Sequence, residues 1–435
     1  MKGLFVGENK IILYYLIMML PIVLLTRPEA SYSLVMRIGY FMLLVIPLLQ
    51  NPQFTPFVIL AFFGFSDNAC YSFLPESYWI RYALVIGLLL LSRRYYKMDV
   101  SLLSKYYVFY LYVLLVSMFY GDIDHPVIQN ALLALLLAPF ITNEKDISRV
   151  AIGFCLMSVA LSLSFYLNFA YFVVEYGIGK EFEMGSWKNP NSLGAAIGCA
   201  IPMIVAMSVD VIIIRKNMLS KIALIASGIV CFMTLLSLGS RGAFMAVVAS
   251  SLLLLMFSSN LKRNQKVGLV IIVTFVVIAL YYWNVFDLVV YRFTQLESLG
   301  STEELGGRAE TWKIKLEAFA CVDSWRQLFG MGIGNTISLG IFKSTHNDFL
   351  TSLIAFGIIG LMLFLIFLFS PIVRGGVKEK KPILFLLLFV VMESMVVEPL
   401  FRGYFHFWLF MIVLYKMSHL RARSRKISGR FRWGL

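Results

Sequence analysis

Three side chains capable of chemistry stand in short polar motifs of an otherwise apolar chain: Arg241 in LSLGSRGAF, Arg308 in GGRAETW and His346 in STHNDFL. A guanidinium offers paired N–H donors that match phosphate oxygens. A neutral imidazole takes a hydroxyl proton near physiological pH, and an imidazolium can instead hold phosphate. Such groups suit an anionic substrate carrying a phosphate and a reacting hydroxyl. Each also has a plainer reading. Arg241 can snorkel to lipid phosphate, Arg308 can pair with Glu304 or Glu310, and His346 can simply be hydrogen-bonded in a loop. The four histidines show no zinc-ligand spacing, and HNDF is not HExxH, so no tightly held metal is expected. FGMGIGN at 329–335 lacks the GKS or GKT of a nucleotide loop; its alternate glycines suit close packing of loop backbone against a lipid or helix.

Further polar residues flank these. In EFEMGSWKNPNSLG, Lys188, Asn189 and Asn191 can hydrogen-bond sugar or phosphate, and Asn191 or Ser192 can equally cap the helix that follows. Over 309–322 the spacing predicts a short amphipathic helix with Trp312, Leu316 and Phe319 on one face, Glu310 in its first turn and Arg308 at its N-terminal end, where free N–H groups help bind phosphate. Asn347 follows His346, and Asp348 or Thr345 can cap the next helix. Glu398 and Arg402, four apart, can pair across a turn and either line a substrate or serve structure.

The elements that must position these residues are membrane helices. The chain has 435 residues, 60% hydrophobic and 14% charged, with a mean hydropathy of +0.82. That excludes an ordinary soluble domain. Continuous apolar runs rather than alternating ones exclude a β-barrel. Candidate spans are 11–26, 33–49, 54–65, 79–91, 106–120, 126–141, 149–172, 192–214, 218–235, 243–258, 267–285, 349–370, 383–397 and 404–418. The 54–65 run is short, and is read as tilted or re-entrant. The first run is read as a retained helix, since Thr26-Arg27-Pro28-Glu29 is a poor cleavage site. With both termini inside, Lys and Arg gather in the inner loops, as at Arg215, Lys216 and Lys221 or Lys378, Lys380 and Lys381, and in the tail RARSRKISGRFR. The formal charge of +14 therefore sets orientation and implies no nucleic acid. Tyrosine and tryptophan clusters such as Tyr95-Tyr96, Tyr106-Tyr107 and Tyr281-Tyr282-Trp283 read as interfacial anchors. The five cysteines read as small buried hydrophobes. The expected fold is an all-α polytopic membrane protein of 12–14 helices. Its segments are 1–188 (first helices), 189–285 (central helices with the NPN and SRG motifs), 286–348 (one long loop holding short helices), 349–418 (last helices) and 419–435 (a basic tail).

NPN before a helix, SRG after one, GRAETW in the long loop, GxG, and HNDFL leading into a helix with FGIIG occur in this order between about Asn189 and Ile359. In that order the chain resembles the bacterial O-antigen ligase / Wzy polymerase superfamily. The resemblance implies a GT-C type glycosyltransferase of the inner membrane, with its long loop in the periplasm. The implied donor is undecaprenyl diphosphate carrying an oligosaccharide. It further implies that Arg241 and Arg308 stabilise the diphosphate leaving group, and that His346 acts as base or orients the acceptor hydroxyl. No cofactor is needed, because the sugar is already activated.

Two activities fit that resemblance: polymerisation of lipid-linked repeat units, which is the preferred expectation, and ligation of finished O-antigen to lipid A–core. The expected partners are the lipid-linked oligosaccharide, an acceptor saccharide or lipid A–core, membrane lipids and a chain-length regulator. A flippase for the same lipid would place charges deep in several helices or use discontinuous helix pairs, and a receptor would carry a large extramembrane domain. Neither pattern is present in the sequence.

Overall fold

A computed structural model describes residues 8–25, 32–68, 78–92, 104–167, 190–209, 211–212, 218–258, 261–264, 266–268, 308–373 and 377–432. Every regular element among them is helical: α1 (Glu8–Leu25), α2 (Leu34–Gln50), α3 (Thr55–Val58), α4 (Gly64–Asn68), α5 (Tyr78–Ser92), α6 (Ser104–Tyr120), α7 (Pro126–Leu137), α8 (Glu144–Leu167), α9 (Pro190–Gly198), α10 (Ala200–Ser208), α11 (Met218–Leu238), α12 (Arg241–Phe257), α13 (Arg308–Ala320), α14 (Ser324–Phe329), α15 (Asp348–Val373), α16 (Val377–Val396) and α17 (Phe405–Arg432). Among the described residues, five stretches combine the length and apolarity needed to cross a bilayer: Glu8–Leu25, Glu144–Leu167, Asn191–Ser208, Ser220–Leu238 and Asp348–Val373. The chain is an all-α polytopic membrane protein. The expected span 267–285 lies almost wholly outside the described residues, as do Tyr95-Tyr96, Tyr281-Tyr282-Trp283 and Cys70.

The chain forms two compact units. The first comprises 1–98 and 136–235, the second 99–135 and 236–435. In the first, the short run near 54–65 is a helix interrupted by a π turn at Ile59–Phe63, and Thr55 to Phe65 are all buried. A segment covered on every side by other helices need not match the bilayer thickness, and this accounts for its length. Two cations, Arg81 buried and Arg149 partly buried, are paired there. Arg81, 1% exposed, forks onto Asp67 at 2.7 and 2.5 Å. Arg149 joins Asp146 of its own helix to Glu8 of α1. Removing Asp67 would strand the buried Arg81 charge, at a cost of about 3–5 kcal/mol.

The second unit has an aromatic core. Tyr106 and Phe109 of α6 meet Phe364 and Phe367 of α15, and Phe401, Trp408 and Tyr415 complete the cluster, with Phe109 stacked on Phe367 at 5.0 Å. Such ring pairs add about 0.5–1.5 kcal/mol each beyond their buried area. Tyr106 is thus not an interfacial anchor. Its ring is fully buried and its hydroxyl donates to the Ala131 carbonyl at 3.2 Å. A tyrosine satisfies its O–H inside a bundle as well as at a headgroup, and sequence position alone does not separate the two.

Helix α12 packs on α16, with Gly242 set against Val396. Small side chains let helix backbones approach closely in a membrane. At Gly242 the approach is obligatory, since a Cβ there would lie 2.5 Å from Val396 Cγ1.

Helix α15 is broken. Gly357 has φ 69° and ψ −171° inside it. Before the break nearly every residue is buried; beyond it Ile358, Met362 and Val373 are exposed, a face suited to lipid. The backbone groups released by the break are re-used. Ile354 and Ala355 carbonyls accept from Met331 and Gly332 N–H at 3.0 and 2.9 Å. Tyr112 donates to Phe356 O at 2.9 Å, and Tyr120 to Gly330 O at 2.8 Å. The glycines of FGMGIGN serve this contact: Gly330 and Gly332 take φ of 94° and 82°, and a Cβ on Gly330 would sit 2.2 Å from Ala355 O. Backbone in such a position is tolerated because protein groups satisfy it.

Candidate functional site

The site is built within the second unit from four short segments: the start of α12, the start of α13, the strap 344–347, and the 397–404 turn. Arg241 is the first residue of α12, after the positive-φ Gly239 that reverses the chain out of α11. The contact of Gly242 with Val396 fixes that helix start beside the end of α16, and the chain runs on from there into the 397–404 turn. Arg308 is the first residue of α13.

The register of α13 departs from the expected face. Thr311, Lys315 and Phe319 are its buried residues, with Trp312 partly buried, while Leu316 is exposed. Phe319 packs with Leu350 and Ile354, but Leu316 does not join them. The cause is Lys315. Its Nζ donates to the carbonyls of Thr336, Ile337, Leu339 and Ile341 at 2.5, 3.1, 3.3 and 3.2 Å, turning a charged position inward. Burial lowers the Lys315 pKa, and Glu398 opposes this. Trp312 Nε1 donates to Thr345 O at 2.6 Å and ties α13 to the strap. Glu310 is exposed in the first turn.

His346 and Glu398 are, among the described residues, the two non-glycine residues with positive φ, at 50° and 63°. They hold each other there: His346 N donates to Glu398 Oε2 at 3.1 Å. Strained backbone of this kind persists where its surroundings over-determine it. Glu398 Oε2 also accepts from Ser344 Oγ at 2.9 Å, and Oε1 accepts from Thr345 Oγ1 at 2.8 Å and from Thr351 Oγ1. Arg402 Nη2 donates to Ser344 Oγ at 3.0 Å, and Arg402 Nε stands 3.7 Å from Glu398. Nη2 is also 3.0 Å from His346 Nδ1 and 3.5 Å from Nε2. The 397–404 turn is held from the other side by Asp348, whose carboxylate accepts from Phe401 N and Leu400 N at 2.9 and 3.3 Å. Asn347, not Asp348 or Thr345, caps α15: its Oδ1 accepts from Phe349 N and Leu350 N at 2.9 and 3.1 Å. Asp348 is drawn away from the cap by the turn.

The charges converge. Burial lowers the Arg308 pKa, and the neighbouring Arg241 and Arg402 lower it further. Among the described residues Arg308 has no ion pair, neither with Glu310 nor with any other acid; Glu304 lies outside them. Burial, then Arg402, then Arg308 lower the His346 pKa to about 3, so its imidazole is neutral at physiological pH. Arg308 is therefore coupled to Arg241, Arg402 and His346, and Arg402 to His346 as well.

The structure brings together Arg241, Arg308, Trp312, His346, Asn347, Glu398 and Arg402, with Glu310 on the open side of α13. Asn191 stands in the first turn of α9, in the other unit. Lys188 and Asn189 lie outside the described residues. Sequence reasoning missed the roles of Ser344, Thr345, Thr351 and Lys315. Lys315 had a usable signal, because it shares a face with Thr311 and Phe319 and no acid stands four residues away on either side. Among the described residues no three His, Cys, Asp or Glu side chains cluster as metal ligands.

The arginines and the neutral histidine thus gather at helix starts and a loop of a polytopic helical membrane protein, an arrangement whose donors match an anion. Residues 226–365, 140 of the 435 residues, match the family model described as O-antigen ligase (Wzy_C). The match contains Arg241, Arg308 and His346 and ends before Glu398 and Arg402. Proteins of this family are glycosyltransferase-like and act in O-antigen assembly. No curated protein matches the chain.

Proposed function

We propose that this protein transfers an oligosaccharide from undecaprenyl diphosphate to a saccharide hydroxyl at the periplasmic face of the inner membrane, and that it does so repeatedly, as a polymerase of lipid-linked repeat units. One observation supports the reading: Arg241, Arg402 and His346 all lie within electrostatic reach of Arg308, beside a strap held at positive φ. In the reaction, the acceptor oxygen bonds to the anomeric carbon, and the bond from that carbon to the diphosphate oxygen breaks. The diphosphate keeps the electron pair. Negative charge grows there, and fixed guanidinium donors favour the transition state over the bound donor. The acceptor proton passes to His346 and then to water. Trp312 and Asn347 shape the strap beside the acceptor. No cofactor or metal enters this scheme.

Purified protein given only undecaprenyl-diphosphate-linked repeat units is expected to build a ladder of longer lipid-linked chains and to release undecaprenyl diphosphate. The same mixture with lipid A–core is the decisive comparison. Transfer to lipid A–core, with no ladder in its absence, makes the protein a ligase and defeats the polymerase reading. No glycosidic product in either mixture defeats both.

A further inference from the structure

Helix α14 buries none of its residues, although the protein holds it firmly. Gln327 Nε2 donates to the Ala320 and Val322 carbonyls, each at 2.9 Å, and so closes the end of α13. Arg326 pairs with Asp323 at 3.3 Å. With its polar groups engaged in this way, the helix keeps one apolar face, Trp325, Leu328 and Phe329, spaced i, i+3 and i+4. The rings of Trp325 and Phe329 lie 4.1 Å apart. Trp325 is 60% exposed and Leu328 40%.

Two neighbouring helices fix the level of this face. The Phe329 carbonyl accepts from Tyr112 Oη at 3.3 Å, and the Gly330 carbonyl from Tyr120 Oη at 2.8 Å. Tyr120 is the last residue of α6; Tyr112 lies about 12 Å deeper along that helix, at 1.5 Å per residue. Further on, a Cβ at Gly332 would stand 2.7 Å from Tyr120 Cβ, and Gly334 N donates to Asp122 at 3.0 Å. The chain from Phe329 to Gly334 therefore climbs alongside α6 to its end, and α14 lies below the top of that climb. Helix α15 gives the same level independently. The Leu328 carbonyl meets Gly357, nine residues after the helix start at Asp348. Around this point the surface is apolar. Leu115 and Phe119, on the face of α6 adjoining Tyr112 and Tyr120, are exposed, and so is Ile358, just past the break in α15.

We infer that α14 is seated in the bilayer leaflet on the side of the arginine cluster, with Trp325 and Leu328 in contact with phospholipid. Water is a poor partner for an apolar face set below the ends of two apolar helices, and the face is continuous with surfaces of α6 and α15 suited to lipid. Tryptophan, with an apolar body and one N–H, favours the headgroup boundary. The backbone on either side leaves that depth without cost because protein groups satisfy its carbonyls. Such a seat has a mechanical role. Gln327 ties α14 to the end of the helix that begins at Arg308, and Gly330 ties it to the half of α15 that follows the His346 strap. The lipid contact thus sets the height of the 308–348 segment against the bilayer, whatever anion its arginines serve.

The experiment is spin-label accessibility in full-length protein carrying Cys70→Ser and Cys321→Ser, reconstituted in phosphatidylethanolamine–phosphatidylglycerol vesicles. Nitroxides are attached singly to Trp325→Cys, Leu328→Cys and Lys313→Cys; Lys313 is a water-exposed position of α13. At 325 and 328, collisions with oxygen, which concentrates in hydrocarbon, should exceed those with a polar nickel chelate, and at 313 the order should reverse. Nickel collisions dominating at 325 and 328 would mean that the face meets water, and would overturn the inference. Few collisions with either reagent there would mean that protein covers the face, a second copy of this chain included, and would overturn it as well. A second measurement needs no cysteine and so guards against a labelled protein that fails to fold. Lipids brominated near the top of their acyl chains should quench tryptophan fluorescence less in Trp325→Phe than in the wild type. Equal quenching in the two proteins would place Trp325 away from lipid.

Discussion

At the scale of single residues, the site separates groups that meet the substrate from groups that hold them. Arg308 has neither an ion pair nor a hydrogen bond among the described residues, so its guanidinium is available to a ligand. Replacing it by lysine keeps the charge and loses the fork. Arg308→Lys is expected to lower kcat/KM roughly 10²-fold while leaving thermal unfolding unchanged. Wild-type turnover in a folded Arg308→Lys protein would remove this residue from the site. His346 yields a pH signature of its own. Its pKa in the folded, ligand-free protein lies below the unfolded value of about 6.5, at about 3. The unfolded chain thus binds the extra proton first, and this residue's contribution to stability falls as pH drops from about 6.5 toward 3. The same numbers predict that the acid limb of kcat/KM, which reports the free enzyme, lies below pH 6.5, and that the limb of kcat lies at higher pH, because bound diphosphate restores basicity. Coincident limbs would contradict that coupling.

At the scale of elements, the break in α15 bears the most weight. Gly357 combines a positive φ with a virtual Cβ only 2.3 Å from Leu328 O. Gly357→Ala should destabilise the protein by about 2–3 kcal/mol or more, seen as a lower thermal midpoint in detergent. Gly87→Ala, with open space around its Cβ, should change it by no more than about 0.5 kcal/mol. Equal midpoints would mean the break is not held as described. The comparison also shows what the sequence made legible. Apolar runs located helices such as α2, α6 and α15 to within a few residues, because twenty-odd apolar residues have few alternatives in a bilayer. The motifs located Arg241, Arg308 and His346 by type and order. Hidden were features created by tertiary contact. The inward turn of Lys315 depends on four carbonyls up to 26 residues away. The carboxylate of Glu398 is matched to Ser344 and Thr345, more than fifty positions earlier. The break in α15 depends on tyrosines of α6. No local pattern encodes such partners.

At the scale of the whole molecule, the proposed topology makes one native thiol a reporter. Cys321 is exposed just after α13, whereas Cys155, Cys199 and Cys231 are buried. In intact cells carrying Cys70→Ser, a membrane-impermeant maleimide is expected to label Cys321 from outside and to spare a cysteine placed at Lys378. Labelling of 378 without 321 would put the arginine cluster on the wrong side of the membrane. The cage around Lys315 carries a last consequence for that outward face. Loops exposed to an uncontrolled medium often fold around a captured calcium ion, and come apart when the ion is diluted or sequestered. Here the carbonyls of 336–341 close instead upon an ammonium covalently attached to the neighbouring helix. The cation that gathers these carbonyls is part of the chain and cannot be diluted away.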